Sequence, residues 1–507
     1  MSNARVVVET GLGKVLGLES DGVRVFRGIP FAEPPVGERR FRAPEPVKAW
    51  PSVRDATQFG AAAPQPQLAL AALPGMDVGP QSEDCLYLNV YAPAGASPQA
   101  RKPVMVWIHG GGFVIGSGAQ SIYDARMLAR HGDVVVVTLN YRLGALGWLD
   151  LGDQGDLATE NAGLLDQIAA LRFVHEQIAA FGGDPGNVTI FGESAGGMSV
   201  GTLMGCPAAR GLFHKAIAQS GSCQAVHADR DGSAAVTAAM LATLGLATPH
   251  VRQLRELTVE RILGAQQQVT LQLMLAGGRN LLPFQPVVDG HVLPRHPIDV
   301  VAAGGAQGVP LLVGTTLDEW KLFSFMDTEL RQIDDAKMAT RLQQRLAHAD
   351  GAKIVAGYRA TRPHAEGAAL WVALETDRVF RLPAIRLAEA QLAARSDVYM
   401  YLFTWPSPAF GGVLGACHAI ELPFVFDCLD LPGAATFAGA GPEAKQLAGW
   451  TRDAWAAFAH SGDPSRASAG SWPRYEGTRR ATMEIGARCG ILEDPAGAER
   501  RLWDDVL

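Results

Sequence analysis

The sequence predicts an α/β fold in which helices cover both faces of a mostly parallel sheet. Three observations carry that prediction: short apolar runs rich in β-branched residues, an amphipathic helical stretch between two of them, and a glycine-flanked turn leading into a further helix. Val104 to Ile108 is the first run and ends in His109-Gly110-Gly111-Gly112-Phe113. Val134 to Leu139 is the second, and such unbroken apolar runs are what strands buried on both faces look like. Between Ala158 and Phe181, Leu164, Ile168, Leu171, Val174 and Ile178 recur at steps of three and four, one face of a long helix that Gly182-Gly183-Asp184-Pro185 stops. A third strand, Val188 to Phe191, runs into Gly192-Glu193-Ser194-Ala195-Gly196, from which helix can start. Ala216 to Gln219, Pro310 to Val313 and Val398 to Phe403 are further strand candidates, and Glu443 to His460 is helix-like.

The 507 residues would allow two to four domains, but large α/β chains often exceed that prior as one unit. The expectation is a single large domain, with cap-like insertions near residues 61–82 and 230–285 and a helical insertion near 325–390. The Pro-rich Gly28-Ile29-Pro30-Phe31-Ala32-Glu33-Pro34-Pro35 reads as an extended surface segment, and Ala61 to Ser82 as a long loop. Hydrophobic residues make up 48% of the chain and charged ones 19%, which describes a large buried core. A net charge of -7 supplies no excess of cations to neutralise phosphates, which argues against a nucleic-acid partner. Apolar stretches break well before the roughly 18 residues a membrane span needs. The amino terminus carries no signal-peptide core, and its Ser2-Asn3-Ala4 also matches an expression scar. Six cysteines without metal-ligand spacing read as reduced thiols of a cytoplasmic protein.

The chemistry centres on Ser194. A G-x-S-x-G string arises by chance roughly 0.2 times in a chain this rich in glycine, so its context decides. A strand before it and a helix after it make a nucleophile elbow, in which small neighbours let the chain turn sharply and leave the serine exposed at the strand end. A serine hydroxyl needs a base to take its proton and an acid to orient that base. In α/β-hydrolases these follow the serine in the order acid, then histidine. His348, His364, His418 and His460 follow in the chain; His418 stands out in the loop Gly415-Ala416-Cys417-His418 after a strand, whereas His348 and His460 lie in polar, helix-like surroundings. Asp318 and Glu319 both follow the strand from Pro310 through Gly314-Thr315-Thr316, and spacing does not choose between them. The glycines of His109-Gly110-Gly111-Gly112, with the N–H of Ala195, can supply backbone donors for an oxyanion. No metal or cofactor is called for.

These residues resemble the type-B carboxylesterases, from Phe26-Arg27-Gly28-Ile29-Pro30-Phe31-Ala32 to Trp472-Pro473. The most specific strings are Glu83-Asp84-Cys85-Leu86-Tyr87-Leu88-Asn89-Val90 and the passage from Gly182-Gly183-Asp184-Pro185 to Gly192-Glu193-Ser194-Ala195-Gly196-Gly197. The resemblance implies Glu319 as the triad acid, His418 (followed by Glu421-Leu422-Pro423-Phe424) as the base, and Gly111, Gly112 and Ala195 as the oxyanion hole. It also implies a buried network of Glu193, Ser220 and Glu421 behind the triad, and scaffold ion pairs Arg40 with Glu83 and Arg142 with Asp166.

Two departures matter. Secreted members pair the cysteine of the Glu-Asp-Cys string with one upstream, where this chain reads Ala63-Pro64-Gln65, so Cys85 lacks that partner. Cholinesterases hold choline on a tryptophan before that cysteine, whereas residues 61–84 contain no aromatic side chain, which turns the expectation to uncharged small-molecule esters. Two rival readings stand beside the hydrolase. One is an acyltransferase or amidase using the same triad; the other is an inactive adhesion or scaffold protein, whose members typically lose the serine kept here. Oligomeric state, natural substrate and acyl preference stay open.

Overall fold

The computed structural model describes residues 4–67, 75–152, 159–223, 230–246, 251–275, 282–324, 327–346, 348–465 and 470–506. Among these, thirteen strands form one sheet: β1 (Ala4–Thr10), β2 (Gly13–Ser20), β3 (Val23–Pro30), β4 (Arg54–Asp55), β5 (Tyr87–Pro93), β6 (Lys102–Ile108), β7 (Val135–Leu139), β8 (Gly183–Glu193), β9 (Lys215–Gln219), β10 (Leu311–Thr316), β11 (Val398–Phe403), β12 (Ala481–Ile485) and β13 (Gly490–Glu493). They lie in the order β1-β2-β3-β5-β7-β6-β8-β9-β10-β11-β12-β13, with β4 beside β2. From β7 to β12 every neighbouring pair is parallel, while the pairs toward both edges are antiparallel except β2 with β4, which is parallel.

Alternation along β6 shows why the core has two sides. Val104, Val106 and Ile108 belong to one apolar cluster, Met105 and Trp107 to the other, as successive side chains of a strand point to opposite faces. On the first face pack helices Ala162–Gln177, Ala195–Met204 and Leu382–Ala393; on the second pack Arg126–Gly132 and Pro442–Ser461. The helix expected from Ala158 begins at Ala162 and ends at Gln177, with Ile178–Phe181 finishing as a 3-10 turn closed by Gly182 at φ 89°. Ala158 itself lies outside the described residues. Leu164, Ile168, Leu171, Val174 and Ile178 are all buried, as their spacing predicts.

The strands around this parallel block are mostly additions to the sequence reading. β2 to β5 carry mixed polarity, and β12 and β13 follow a glycine-rich stretch, so neither group stands out from periodicity. One expectation is overturned: the segment from Gly28 to Pro35 is not at the surface. Ile29, Phe31 and Ala32 are buried, because β3 continues to Pro30 and pairs with β5, and the prolines extend the chain into the core rather than over it. In the stretch 61–82, residues 68–74 lie outside the described residues; its two ends are joined by an Ala62–Gln81 bridge. Residues 230–285 carry helices Arg230–Leu244, Val251–Glu256 and Val259–Leu275, with 247–250 and 276–281 outside the described residues. The stretch 325–390 holds helices Asp335–Arg345, Gly351–Thr361 and Gly367–Thr376, the last passing through a π-turn, Asp377–Arg381, into Leu382–Ala393. No helix among the described residues is long and apolar enough to cross a membrane.

Both scaffold ion pairs form. Arg40 holds Glu83 through Nε and Nη2 and donates Nη1 to the carbonyls of Leu254, Arg255 and Leu257, tying the end of helix Val251–Glu256 to the segment after β3. Arg142 meets the fully buried Asp166 with Nε at 2.8 Å and Nη2 at 2.7 Å, while its own N–H donates to the same carboxylate. Removing one member of a buried pair leaves an uncompensated charge. Arg142→Ala is therefore expected to lower stability by about 3–5 kcal/mol, read as a shift in the urea midpoint, and a shift worth under about 1 kcal/mol would contradict that account.

Candidate active site

The turn after β8 is held by close backbone approach. Ser194 adopts φ 58°, ψ −125°, a strained combination for a residue with a side chain. Its N–H donates to the Gln219 carbonyl (2.9 Å), and its own carbonyl accepts from Met198 N–H (2.8 Å), which starts helix Ala195–Met204. A Cβ on Gly196 would stand 1.9 Å from the Ile108 carbonyl oxygen, and one on Gly192 would stand 2.6 Å from the Gly196 carbonyl carbon. Only glycine fits either place. Ser194 is consequently left partly exposed in a run, Phe191 to Val200, whose other members are all buried.

Two further strand ends bring the partners. Glu319 lies three residues past β10, fully buried, with Oε1 accepting from Thr316 N–H (2.8 Å) and Oε2 2.6 Å from His418 Nδ1. Asp318, the alternative that spacing left open, points elsewhere: its N–H and Oδ2 pair with the backbone of Ala416, and Lys321 sits 3.2 Å away. It clamps the loop that carries His418. His348 and His364 are exposed, and His460, also exposed, bonds the Gly132 carbonyl. Rings of Phe323 and Phe380 flank His418 at 5.0 and 4.8 Å.

One link is missing. Ser194 Oγ is not among the hydrogen-bond partners of His418 in the described residues; the nearest carboxylate to Nε2 is Glu193 Oε1 at 3.0 Å, in a contact too poorly aligned for a hydrogen bond. Ser194 follows directly on Glu193, and catalytic hydrogen bonds are often long or poorly aligned until substrate is bound.

Behind His418 lies a buried set of acids. Glu421 accepts from Gln219 Nε2 (3.3 Å), whose Oε1 accepts from Trp455 Nε1 (3.0 Å). Among the described residues, Glu193 Oε1, Ser220 Oγ, Thr316 Oγ1, Tyr401 OH and Glu421 Oε2 are buried without a hydrogen-bond partner, so Ser220 bonds neither glutamate. Burial pushes the carboxyls of Glu193 and Glu421 upward, with Glu319 adding repulsion to both. Burial alone would pull His418 down, but the carboxylates of Glu193 and Glu319 outweigh it, and the net direction is up.

The glycine loop completes the site. Gly111 and Gly112 take φ 105° and 60°, and a Cβ on Gly110 would lie 3.0 Å from the Ser194 Cβ, so the loop abuts the elbow. Among the described residues, the N–H groups of Gly111, Gly112 and Ala195 have no protein acceptor. Backbone donors without acceptors beside a strained serine suit an anion that forms only during reaction. Gln65, Phe323, Phe380 and Tyr401 escape the sequence reading, and Asp318 enters it only as a rival acid, not as a clamp on the His418 loop. Only Tyr401 left a signal, a polar group at the carboxyl end of an apolar strand. No cluster of three or more His, Cys, Asp or Glu among the described residues has metal-binding geometry.

Comparison with known proteins agrees with this arrangement. The profile of the carboxylesterase family matches residues 4–501. The chain is 41% identical to the para-nitrobenzyl esterase of Bacillus subtilis over 497 residues, 98% of each protein, and 36% identical to the phenmedipham hydrolase of Pseudarthrobacter oxydans over 95% of each. A carboxylesterase of Geobacillus stearothermophilus superposes with a TM-score of 0.89 at 41% identity, covering 99% of this chain and 100% of that one. A strained serine elbow on a parallel sheet, matched over nearly its full length by these relatives, makes the chain a member of the carboxylesterase family, a carboxylic ester hydrolase with the α/β-hydrolase fold.

Proposed function

We propose that Ser194 attacks the ester carbonyl while His418, oriented by Glu319, accepts the serine proton at Nε2 and returns it to the departing alcohol. The carbonyl oxygen gathers charge between the N–H groups of Gly111, Gly112 and Ala195. A water then gives its proton to His418 and its oxygen to the acyl carbon, releasing the acid and restoring Ser194. The single observation that carries this reading is the 2.6 Å contact of Glu319 with His418 Nδ1, which leaves Nε2 turned toward the elbow. Glu193, Ser220 and Glu421 tune that imidazole from behind.

The preferred substrates in this reading are uncharged esters, because residues 61–84 offer no aromatic face for a quaternary ammonium. Para-nitrobenzyl esters are a fitting first test. The insertions act as a cap over one continuous hydrolase domain. Leu282 Cδ2 would lie 3.4 Å from a Cβ on Gly112, and Gln266 on helix Val259–Leu275 accepts from the Ala145 N–H, so this region reaches the glycine loop. Six unpaired thiols, five of them buried, suit a reducing compartment such as the cytoplasm.

Three outcomes are expected. Ser194→Ala loses at least on the order of 10³-fold in kcat on a p-nitrophenyl ester with its melting temperature kept, and unchanged turnover would sink the nucleophile assignment. The acid limb of kcat/KM reports the loss of the His418 proton. Glu193→Gln removes a carboxylate that favours the imidazolium, so that limb shifts to lower pH; a shift to higher pH would contradict the electrostatics described above. Leu282→Ala widens the space beside Gly112 and raises kcat/KM for bulkier esters relative to acetates, whereas an unchanged ranking across an ester panel would remove the cap from the account.

A further inference from the structure

Two polar side chains that the hydrolytic reading leaves unused, Gln65 and His109, both adjoin Gly116 behind the glycine loop. Gln65 lies in the stretch that follows residue 61 and is 5% exposed. Its amide makes a two-point pair with one residue: Gly116 N–H donates to Oε1 at 2.8 Å, and Nε2 donates to the Gly116 carbonyl at 2.9 Å. The other Nε2 hydrogen goes to the Ala63 carbonyl at 3.0 Å, so both donors are used. The Gln65 N–H is held in turn by Gln81 Oε1 at 3.0 Å.

Gly116 presses on a second hydrogen bond. It has φ 118°, and a Cβ there would lie 2.3 Å from His109 Nδ1 and 2.6 Å from the Gly110 oxygen. Those two atoms are 2.8 Å apart. A carbonyl only accepts, so Nδ1 carries the hydrogen and Nε2 is bare; among the described residues Nε2 is buried without a partner, which a protonated ring would not tolerate. Burial accordingly holds the imidazole down to about 4, with the Gly110 bond pulling weakly the other way. The ring is stacked on Tyr141 at 4.5 Å, whose hydroxyl donates to the His109 carbonyl at 2.9 Å.

The consequence lies in one peptide plane. The Gly110 carbonyl and the Gly111 N–H belong to the same planar unit and point in opposite directions. Holding the Gly110 oxygen against His109 leaves the Gly111 N–H aimed away from the brace, on a segment that abuts Ser194. We propose that Gln65 is a positioning residue for the reaction, acting through Gly116 and His109 to set the orientation of the oxyanion-hole peptide. This rests on the reading of Gly111 and Gly112 as oxyanion donors. Without Gln65 the Gly116 N–H and carbonyl lose their partners, the turn relaxes, and the Gly110–Gly111 peptide is free to rotate. Its realignment then weighs on the transition state more than on substrate binding.

The test is steady-state kinetics of Gln65→Met and Gln65→Glu on a p-nitrophenyl ester, together with the inhibition constant of a trifluoromethyl ketone, whose serine adduct needs the oxyanion hole. Gln65→Met keeps the length and loses the polar pair; kcat should fall on the order of 10- to 100-fold and ketone affinity by a similar factor, with KM nearly unchanged. Gln65→Glu presents both an acceptor and a donor to Gly116 only while protonated. Its kcat relative to the unaltered enzyme should therefore decline as pH rises, which a general loss of packing would not produce. Wild-type kcat and ketone affinity in Gln65→Met would overturn the proposal. Should both variants fail to fold, amide exchange of the unaltered enzyme decides: Gly116 N–H should exchange as slowly as β6 with or without the ketone, and exchange typical of an open loop would overturn the brace. If the unaltered enzyme neither turns over the ester nor binds the ketone, the oxyanion reading itself has failed.

Discussion

The approach of helix Ala195–Met204 to the end of β6 governs the whole arrangement. The Gly196 backbone sits so close to the Ile108 carbonyl that no side chain fits between them, and Gly192 and Gly197 crowd their neighbours in the same way. This contact forces the chain to reverse at Ser194 and drives that residue into a left-handed conformation. It also brings the glycine loop, which continues from β6, directly against the elbow. The strain at one residue is sustained by an interior that is close-packed on both faces of the sheet, where local relaxation would open voids. Nucleophile and oxyanion donors in the proposed reaction are thus two consequences of one steric constraint.

A second constraint is electrostatic. Glu193, Glu319 and Glu421 are buried around a single imidazole, and carboxylates far from water are costly unless they are paired. The three are treated differently. Glu319 has a donor on each oxygen, from Thr316 N–H and His418, whereas Glu193 and Glu421 each keep an oxygen without a partner and are pushed toward their neutral forms. Environment therefore divides one residue type into a carboxylate with a donor on each oxygen and two acids pushed toward their neutral forms, in the manner by which interiors separate chemically identical groups. Asp318, one residue from Glu319, remains partly exposed and serves the backbone of the His418 loop instead.

Elements outside the parallel block bear on the site through a few contacts each. Arg40 joins the segment after β3 to residues 254–257, Gln266 caps a free N–H at Ala145, and the π-turn Asp377–Arg381 delivers Phe380 to the face of His418. Gln65 reaches the turn behind the glycine loop from a stretch whose sequence looks like an unremarkable loop. Of these, only Phe380 touches the His418 ring; the others bear on the site through the backbone.

The parallel strands β6 to β11, the long helix between Ala162 and Gln177 and the elbow itself were legible in the amino-acid order, because each rests on local rules: apolar runs, a 3.6-residue period and a glycine-flanked turn. Ser194 and the glycine loop were legible for the same reason, His418 stood out by its loop after a strand, and family resemblance selected Glu319 over Asp318. The buried course of Gly28 to Pro35 was not, since proline fixes backbone angles but not which side of the molecule the chain crosses. Nor were the places of Gln65, Phe323 and Phe380, the hold of Asp318 on Ala416, or the unclosed contact between Ser194 and His418. Residues separated by 99 positions meet at His418 and Glu319, and by 51 at Gln65 and Gly116, because the sheet sets strand ends side by side. The amino-acid order by itself determined which groups were available for the chemistry; the tertiary structure decided which of them touch, since hydrogen bonds and charges act over a few ångströms of space whatever their separation along the chain.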